Sequence, residues 1–234
     1  MSTAIPENHA ELEAHAAAAA TGGSVVRANR KHARGIVSDT RAIKGGEAFV
    51  ALRGDNHDAH AFLAEAASRG ATLLVIDGER TLPDGPDVVK VSDTLVAWGD
   101  LARAHLRAWR AARDDARTIA ITGSAGKTTT KQLCAALLDA VTTKGVWASP
   151  GNLNNLVGVP MTLFTLTDAH RAMVIDVGET QVFERHVAQA AHRAIHIHRA
   201  RAHLLEQLPE LLLVHTARIT ARVTWPPRPS TFRK

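Results

Sequence analysis

Short apolar runs alternate with stretches in which apolar residues return every three or four positions. Two patterned blocks result, joined by one long amphipathic segment. In the first block, Ala14 to Ala20 predicts a short helix stopped by Gly22-Gly23, and Ser24 to Ala28 a short strand. Gly46-Glu-Ala-Phe-Val-Ala-Leu52 predicts a buried strand, 59–69 a helix ended by Gly70, and Thr72-Leu-Leu-Val-Ile-Asp77 another strand. After the turn-rich Thr81-Leu-Pro-Asp-Gly-Pro86, Val88 to Val91 reads as a strand and Ser92 as the N-cap of a helix running to about Arg113. Leu95, Trp98, Leu101, Ala102 and Leu106 form its apolar stripe, so it is expected to bridge two domains. The second block predicts a strand from Ile119, a helix over 127–140, a strand near Gly145-Val-Trp147, a loop and helix, and the strand Arg171 to Val177. Strands alternating with helices imply an α/β fold with parallel pairing and right-handed crossovers.

The apolar fraction, 45% of 234 residues, is ample for two cores, and no apolar run is long enough to span a bilayer. Glu7, Glu11 and Glu13 stand where a signal peptide would need an apolar stretch, so a soluble, cytoplasmic protein without membrane insertion is expected. The single cysteine, Cys134, allows no internal disulfide and reads as a packed thiol. The net charge of +5 first suggests nucleic-acid binding, but residues 185–234 carry +7 and the remainder −2. No specific nucleic-acid partner is therefore expected for the body of the chain. That basic tail also lacks Gly, Asp and Asn, the usual turn formers.

Candidate chemistry begins where the strand Ile119-Ala-Ile-Thr122 runs into Gly123-Ser-Ala-Gly-Lys-Thr-Thr-Thr130. Gly123 and Gly126 permit the backbone to turn its N–H groups inward around a phosphate, with Ser124 and Ala125 between them. A helix starting near Lys127 points its positive end at the same place. Lys127 would neutralise β- and γ-phosphates, Thr128 would reach the accompanying Mg²⁺, and Thr129 would complete the cradle. Ile121 stands where the common P-loop pattern has its first glycine, so the loop is a shortened variant. Two further features fall on the same edge of a parallel sheet, where ligands bind. One is Asp176 at the end of its strand, able to meet Mg²⁺ or to cap the next helix. The other is Asn152, Asn154 and Asn155, in a loop richer in asparagine than a turn requires.

Thr122-Gly-Ser-Ala-Gly-Lys-Thr-Thr-Thr-Lys131, Gly151-Asn-Leu-Asn-Asn-Leu-Val-Gly-Val-Pro-Met-Thr-Leu163 and Val174-Ile-Asp-Val-Gly178 together resemble the central domain of the Mur ligases. Within that family they are most similar to the members that add D-alanyl-D-alanine to a muramoyl tripeptide. Ser38-Asp-Thr-Arg41, Gly46 to Gly54 and Asp58-Ala-His-Ala-Phe62 resemble the family's amino-terminal, UDP-muramoyl-peptide-binding module. The resemblance covers about residues 24–180. It implies a small α/β substrate domain over 1–90, the linker helix over 91–113, and an incomplete P-loop parallel-sheet ATPase domain over 114–180. It also implies an ATP- and Mg²⁺-dependent amide ligase acting on UDP-N-acetylmuramoyl-tripeptide and D-alanyl-D-alanine, expected as a monomer. By the same resemblance Lys127 is catalytic, and Gly123 to Thr129, Asn152 and Asn155 line the ATP. Asp39, Thr40 and Arg41 contact the uridine nucleotide, and Thr128 and Asp176 hold metal, with Asp176 standing where the family usually has glutamate.

From about 181 onward the family pattern is not legible. Arg201-Ala-His-Leu-Leu-Glu206 echoes the family's Ala-His motif, which makes His203 a candidate metal ligand, while Arg218 falls where a carbamylated lysine might and cannot itself carbamylate. The expectation is a divergent or frame-shifted ending over 181–234 with the family's carboxyl-terminal ligase domain absent. Ligase turnover is then weak, or the chain is a non-catalytic ATP- or UDP-peptide-binding remnant. Resequencing the locus checks this: a ligase domain in another reading frame supports it, and none in any frame sinks it.

Overall fold

The computed structural model describes residues 6–29, 31–54, 57–113, 116–122, 126–141, 145–151, 153–178 and 211–215. Strand β1 (Glu11–Glu13) pairs antiparallel with β3 (His32–Arg34), and helix α1 (Ala14–Thr21) lies between them in sequence. A five-stranded sheet is built from β2 (Ser24–Arg27), β4 (Ile36–Val37), β5 (Ala48–Val50), β6 (Leu73–Asp77) and β7 (Asp87–Val91), in the order β2-β7-β6-β5-β4. All its pairings are parallel except β2 with β7. Helix α2 (Leu63–Ser68) follows a 3₁₀ turn at Ala59–Phe62, so the segment expected as one helix over 59–69 is two pieces. Asp58 causes the division: its carboxylate accepts the His60 N–H and starts the tighter turn.

The second sheet is parallel throughout, with β11 (Leu211–His215), β8 (Arg117–Thr122), β10 (His170–Asp176) and β9 (Gly145–Ala148) in the order β11-β8-β10-β9. Helix α4 (Lys127–Val141) connects β8 to β9, and α5 (Gly158–Leu163) precedes β10. Strand β11 was not foreseen: within the basic tail, Leu211–His215 pairs with β8 from Thr118 to Thr122.

Period-two alternation sorts the strand residues into separate cores. Leu73, Val75, Val89 and Val91 point to one side of the five-stranded sheet and Leu74, Ile76 and Val88 to the other. In the second sheet Ala120, Met173 and Ile175 join the first of these cores, whereas Ile119, Ile121 and Val174 pack under α4 with Cys134, Ala135 and Leu138. The shared core is filled by α3 (Thr94–Ala111), whose Ala97, Trp98, Leu101, Ala102, Leu106 and Trp109 are all buried. Its N-cap is Asp93, which accepts the Val96 N–H at 2.9 Å, one residue later than the Ser92 expected. A carboxylate at this position also suits the positive helix end.

Helix α3 is tied to the second sheet by three polar contacts along its length. Trp98 Nε1 donates to the Val157 carbonyl at 2.9 Å, His105 Nε2 faces the Leu166 carbonyl at 3.0 Å, and Trp109 Nε1 donates to the Thr167 carbonyl at 3.1 Å. Because a carbonyl only accepts, His105 carries its proton on Nε2. Trp98 also meets Phe164 edge-on at 4.9 Å between centroids.

Trp98→Ala is expected to cost about 3–5 kcal/mol of unfolding free energy, since it removes a fully buried indole and strands a carbonyl. Urea titration followed by far-ultraviolet circular dichroism checks it, and a loss below 1 kcal/mol, roughly the surface range, would contradict the packing role. Burial lowers the His105 pKa, only partly opposed by the Leu166 carbonyl and Asp168. The unfolded chain therefore binds this proton first. Stability is expected to fall as pH drops below about 6.5 and to level off beneath the folded-state value. Thermal melts of His105→Gln against the parent should show that segment of the pH profile flattened.

Candidate functional site

The carboxyl ends of the parallel strands collect the candidate residues in two groups, both at the amino end of α3. That helix starts directly after β7, and one turn into it Trp98 holds Val157, which follows the loop leaving β9. The two sheets therefore present their ligand-binding edges at the same end of one rigid helix.

On the first sheet, Asp39, Thr40 and Arg41 lie just past β4. Asp39 N-caps a 3₁₀ turn by accepting the Arg41 N–H at 2.9 Å, and it binds the same residue's guanidinium through both carboxylate oxygens. Those hydrogen bonds to Arg41 hold the Asp39 carboxyl below the usual carboxylate range. Thr40 is buried and donates to Glu65 at 3.2 Å, which leaves the largely exposed Arg41 side chain as the group most open to an anionic ligand. A second cluster on this edge was not legible in the sequence. The buried His60 ring accepts the Asp77 N–H at Nε2 and donates from Nδ1 to Asp58, while Arg53 bonds Asp77 at 2.6 Å. A cavity of about 350 Å³ opens beside it, between Arg53, Asp77, Ser92 and Thr94.

On the second sheet, β8 leads to Gly126 at φ +75°, a left-handed conformation that glycine adopts freely, and α4 begins at Lys127. Lys127 is half-buried, while Thr128 and Thr129 are exposed on the first turn. Gly123, Ser124, Ala125, Asn152 and His203 lie outside the described residues. Asp176 lies opposite Ile121 in the register of β10 and β8, so its carboxylate stands at the strand end beside the start of the phosphate loop. It is 1% exposed. Its Oδ1 accepts from Lys131 Nζ at 2.8 Å and from Ser149 Oγ at 2.5 Å, whereas Oδ2 is buried without a hydrogen-bond partner. Neither Lys131 nor Ser149 was picked out as a site residue from sequence, although Lys131 stands one helical turn beyond Lys127.

The asparagine loop is held by its own side chains and by close backbone approach. Asn155 Oδ1 accepts the N–H groups of Val157 and Gly158 at 3.1 and 2.7 Å, so that oxygen caps α5. The Asn154 carbonyl accepts the Gly178 N–H at 2.7 Å. A Cβ on Gly178 would meet that carbonyl at 2.8 Å, which only glycine avoids.

Among the described residues no group of three or more His, Cys, Asp or Glu could hold a metal. Mg²⁺ keeps several waters and takes one or two carboxylates together with substrate phosphates. The free Oδ2 of Asp176 and the hydroxyl of Thr128 fit that modest donor set.

Residues 121–206 match the family described as the Mur ligase middle domain, a stretch that passes 180 and takes in His203. The chain is similar, at 41% identity over 145 residues, to the UDP-N-acetylmuramoyl-tripeptide–D-alanyl-D-alanine ligase of Haemophilus influenzae. Residues 121–206 thus belong to the Mur ligase middle-domain family. In that Haemophilus comparison the matched part is 61% of this chain and 30% of the relative. The Escherichia coli ligase of the same name is also 41% identical, over 143 residues, covering 61% and 30%. The chain thus spans about a third of the length of the curated relatives it matches. Crystal structure II of MurF from Acinetobacter baumannii superposes with a TM-score of 0.64 at 30% identity, over 74% of this chain and 36% of that one. MurF from Thermotoga maritima, solved in complex with ADP, gives 0.56 at 26% identity, over 67% and 35%. The α/β architecture with parallel sheets is therefore that of a Mur ligase. No helix of the described residues is long and apolar enough to cross a membrane.

Lys127→Ala is expected to leave the fold intact, since α4 is anchored through Cys134, Ala135 and Leu138. Its melting midpoint should stay close to the parent's, within about 2 °C for a shift well under 1 kcal/mol.

Proposed function

We propose that this chain works in the cytoplasm as an ATP-dependent amide ligase of peptidoglycan precursor synthesis, joining D-alanyl-D-alanine to UDP-N-acetylmuramoyl-tripeptide. The observation that carries the reading is the juxtaposition of Lys127, heading the helix after β8, with Asp176 at the end of the adjacent β10, in a chain 41% identical to relatives named for that reaction. A carboxylate is a poor electrophile until one of its oxygens becomes a phosphate leaving group. In the proposed reaction the γ-phosphoryl group of ATP passes to the terminal carboxylate of the tripeptide, releasing ADP. The amine of D-alanyl-D-alanine then attacks the acyl carbon, and phosphate departs.

The protein's share of this chemistry is positioning and charge neutralisation. Lys127 would draw the β- and γ-phosphates to the start of α4, where the helix end and the N–H groups of the 123–126 loop add positive potential. Asn152 and Asn155 belong to the loop along the nucleotide, and Asp39, Thr40 and Arg41 would take the uridine nucleotide, with the exposed outer face of the Asp39-paired Arg41 guanidinium meeting the anion. Thr128 and Asp176, with His203 as a further candidate, would hold Mg²⁺, which supplies neutralisation of the phosphate oxygens. The second reading is a monomeric module that holds ATP or the UDP-peptide without joining anything.

An assay with ATP, UDP-N-acetylmuramoyl-tripeptide and D-alanyl-D-alanine, following phosphate release and amide formation, separates the two. The ligase reading expects both products in equal amounts and their loss in Lys127→Ala. ADP binding that Lys127→Ala abolishes, with neither product formed by the parent, establishes the module instead. A parent that binds neither ADP nor the UDP-peptide overturns both.

A further inference from the structure

Lys131 places an ammonium group in an unusual position. Its side chain is 6% exposed, and withdrawing such a charge from water costs several kcal/mol, order of magnitude, unless partners surround it. Its partners come from two different segments: Nζ donates to Asp176 Oδ1 at 2.8 Å and to the Gly151 carbonyl at 2.8 Å. Ser149 joins them by donating to the same Oδ1 and accepting the Asp176 N–H at 3.2 Å. One lysine thereby fastens the P-loop helix, the end of β10 and the head of the asparagine loop.

The two oxygens of Asp176 are consequently unequal. Oδ1 receives two donors, while Oδ2 is buried and receives none. A pair kept only for the fold gains by satisfying every buried lone pair, because a buried acceptor left without a donor costs stability. An oxygen left without a partner among the described residues, on the aspartate that ends β10 opposite Ile121, is instead an acceptor reserved for a ligand.

We propose that Lys131 is a positioning residue of the nucleotide site. It clamps Asp176 by Oδ1 so that Oδ2 alone is offered toward Mg²⁺, and it pins the Gly151 carbonyl so that the following loop stays seated beside α4. The inference rests on the ATP-dependent reading above. It also accounts for an aspartate working at this position. With one methylene fewer than glutamate, Asp176 has little freedom to seek its ligand and depends on being held in one orientation.

Calorimetric titration of the full chain with ADP, in EDTA and in Mg²⁺, tests this. Lys131→Met should bind ADP in EDTA within about threefold of the parent, yet lose roughly 10- to 100-fold of the tightening that Mg²⁺ confers, the usual range for groups that orient a metal ligand. Asp176→Asn should lose the same tightening, and the double variant no more than either single, because both changes break one coupled unit. Lys131→Arg, which keeps charge and donors, should recover part of the loss. Full Mg²⁺ tightening in Lys131→Met, or losses that multiply in the double variant, would overturn the proposal. If Lys131→Met lacks a cooperative melting transition, Lys131→Gln carries the test, with an expected loss of at least about threefold and an unchanged response overturning it. A parent that binds no ADP in either buffer overturns the proposed function and this inference with it. A parent that tightens with Mg²⁺ while Lys131→Met does the same sinks the inference alone.

Discussion

The burial of one helix face governs the rest of the molecule. The stripe on α3 that contains Trp98, Leu101, Ala102, Leu106 and Trp109 is covered on one flank by residues of the five-stranded sheet and α1, and on the other by α5 and the parallel sheet. Each sheet is itself apolar on both faces. Neither could leave its α3 side in water without exposing a row of Val, Leu and Ile, so the two blocks share a core in place of a flexible joint. Because Trp98, His105 and Trp109 each bond backbone carbonyls beyond the second core, the helix is fixed in axial register as well as in rotation.

That register is what relates the two candidate sites. The carboxyl edge carrying Asp39, Thr40 and Arg41 and the edge carrying Lys127 and Asp176 are both placed from the amino end of α3. A substrate reaching from one to the other would meet a rigid frame. At both edges an aspartate is paired with a cation, and the pairing leaves a chosen group open. At the first edge Asp39 is spent on Arg41, whose outer face stays exposed. At the second, Lys131 and Ser149 are spent on one oxygen of Asp176.

Most of the regular elements were legible because their signals are local. The strands at Leu73–Asp77 and His170–Asp176 contain the apolar runs Leu73 to Ile76 and Ala172 to Ile175, and the helix ending at Ala111 shows its stripe at spacings of three and four. The turn into α4 was legible because glycine adopts the left-handed conformation at Gly126 freely. The short strands Glu11–Glu13 and His32–Arg34 were missed, since three residues with one buried side chain carry no period. Leu211–His215 was missed because it lies in a segment whose composition lacks turn formers, and its partner β8 is far away in sequence.

The sequence by itself determined which segments could be strands or helices, that a glycine turn led from one strand into the helix starting at Lys127, and that Asp176 ended another. Each of these depends on neighbours within a turn or two, where backbone sterics and side-chain periodicity act. Only the tertiary structure decided that Lys131 and Ser149 close on Asp176, that His60 joins Asp58 to Asp77, and that both ligand edges meet at one end of α3. Apart from the local His60–Asp58 bond, those contacts bring together groups 17 to 59 residues apart. Nothing in the local pattern of a buried lysine or histidine says which distant carboxylate will satisfy it; the packing of the sheets against α3 chooses the partner.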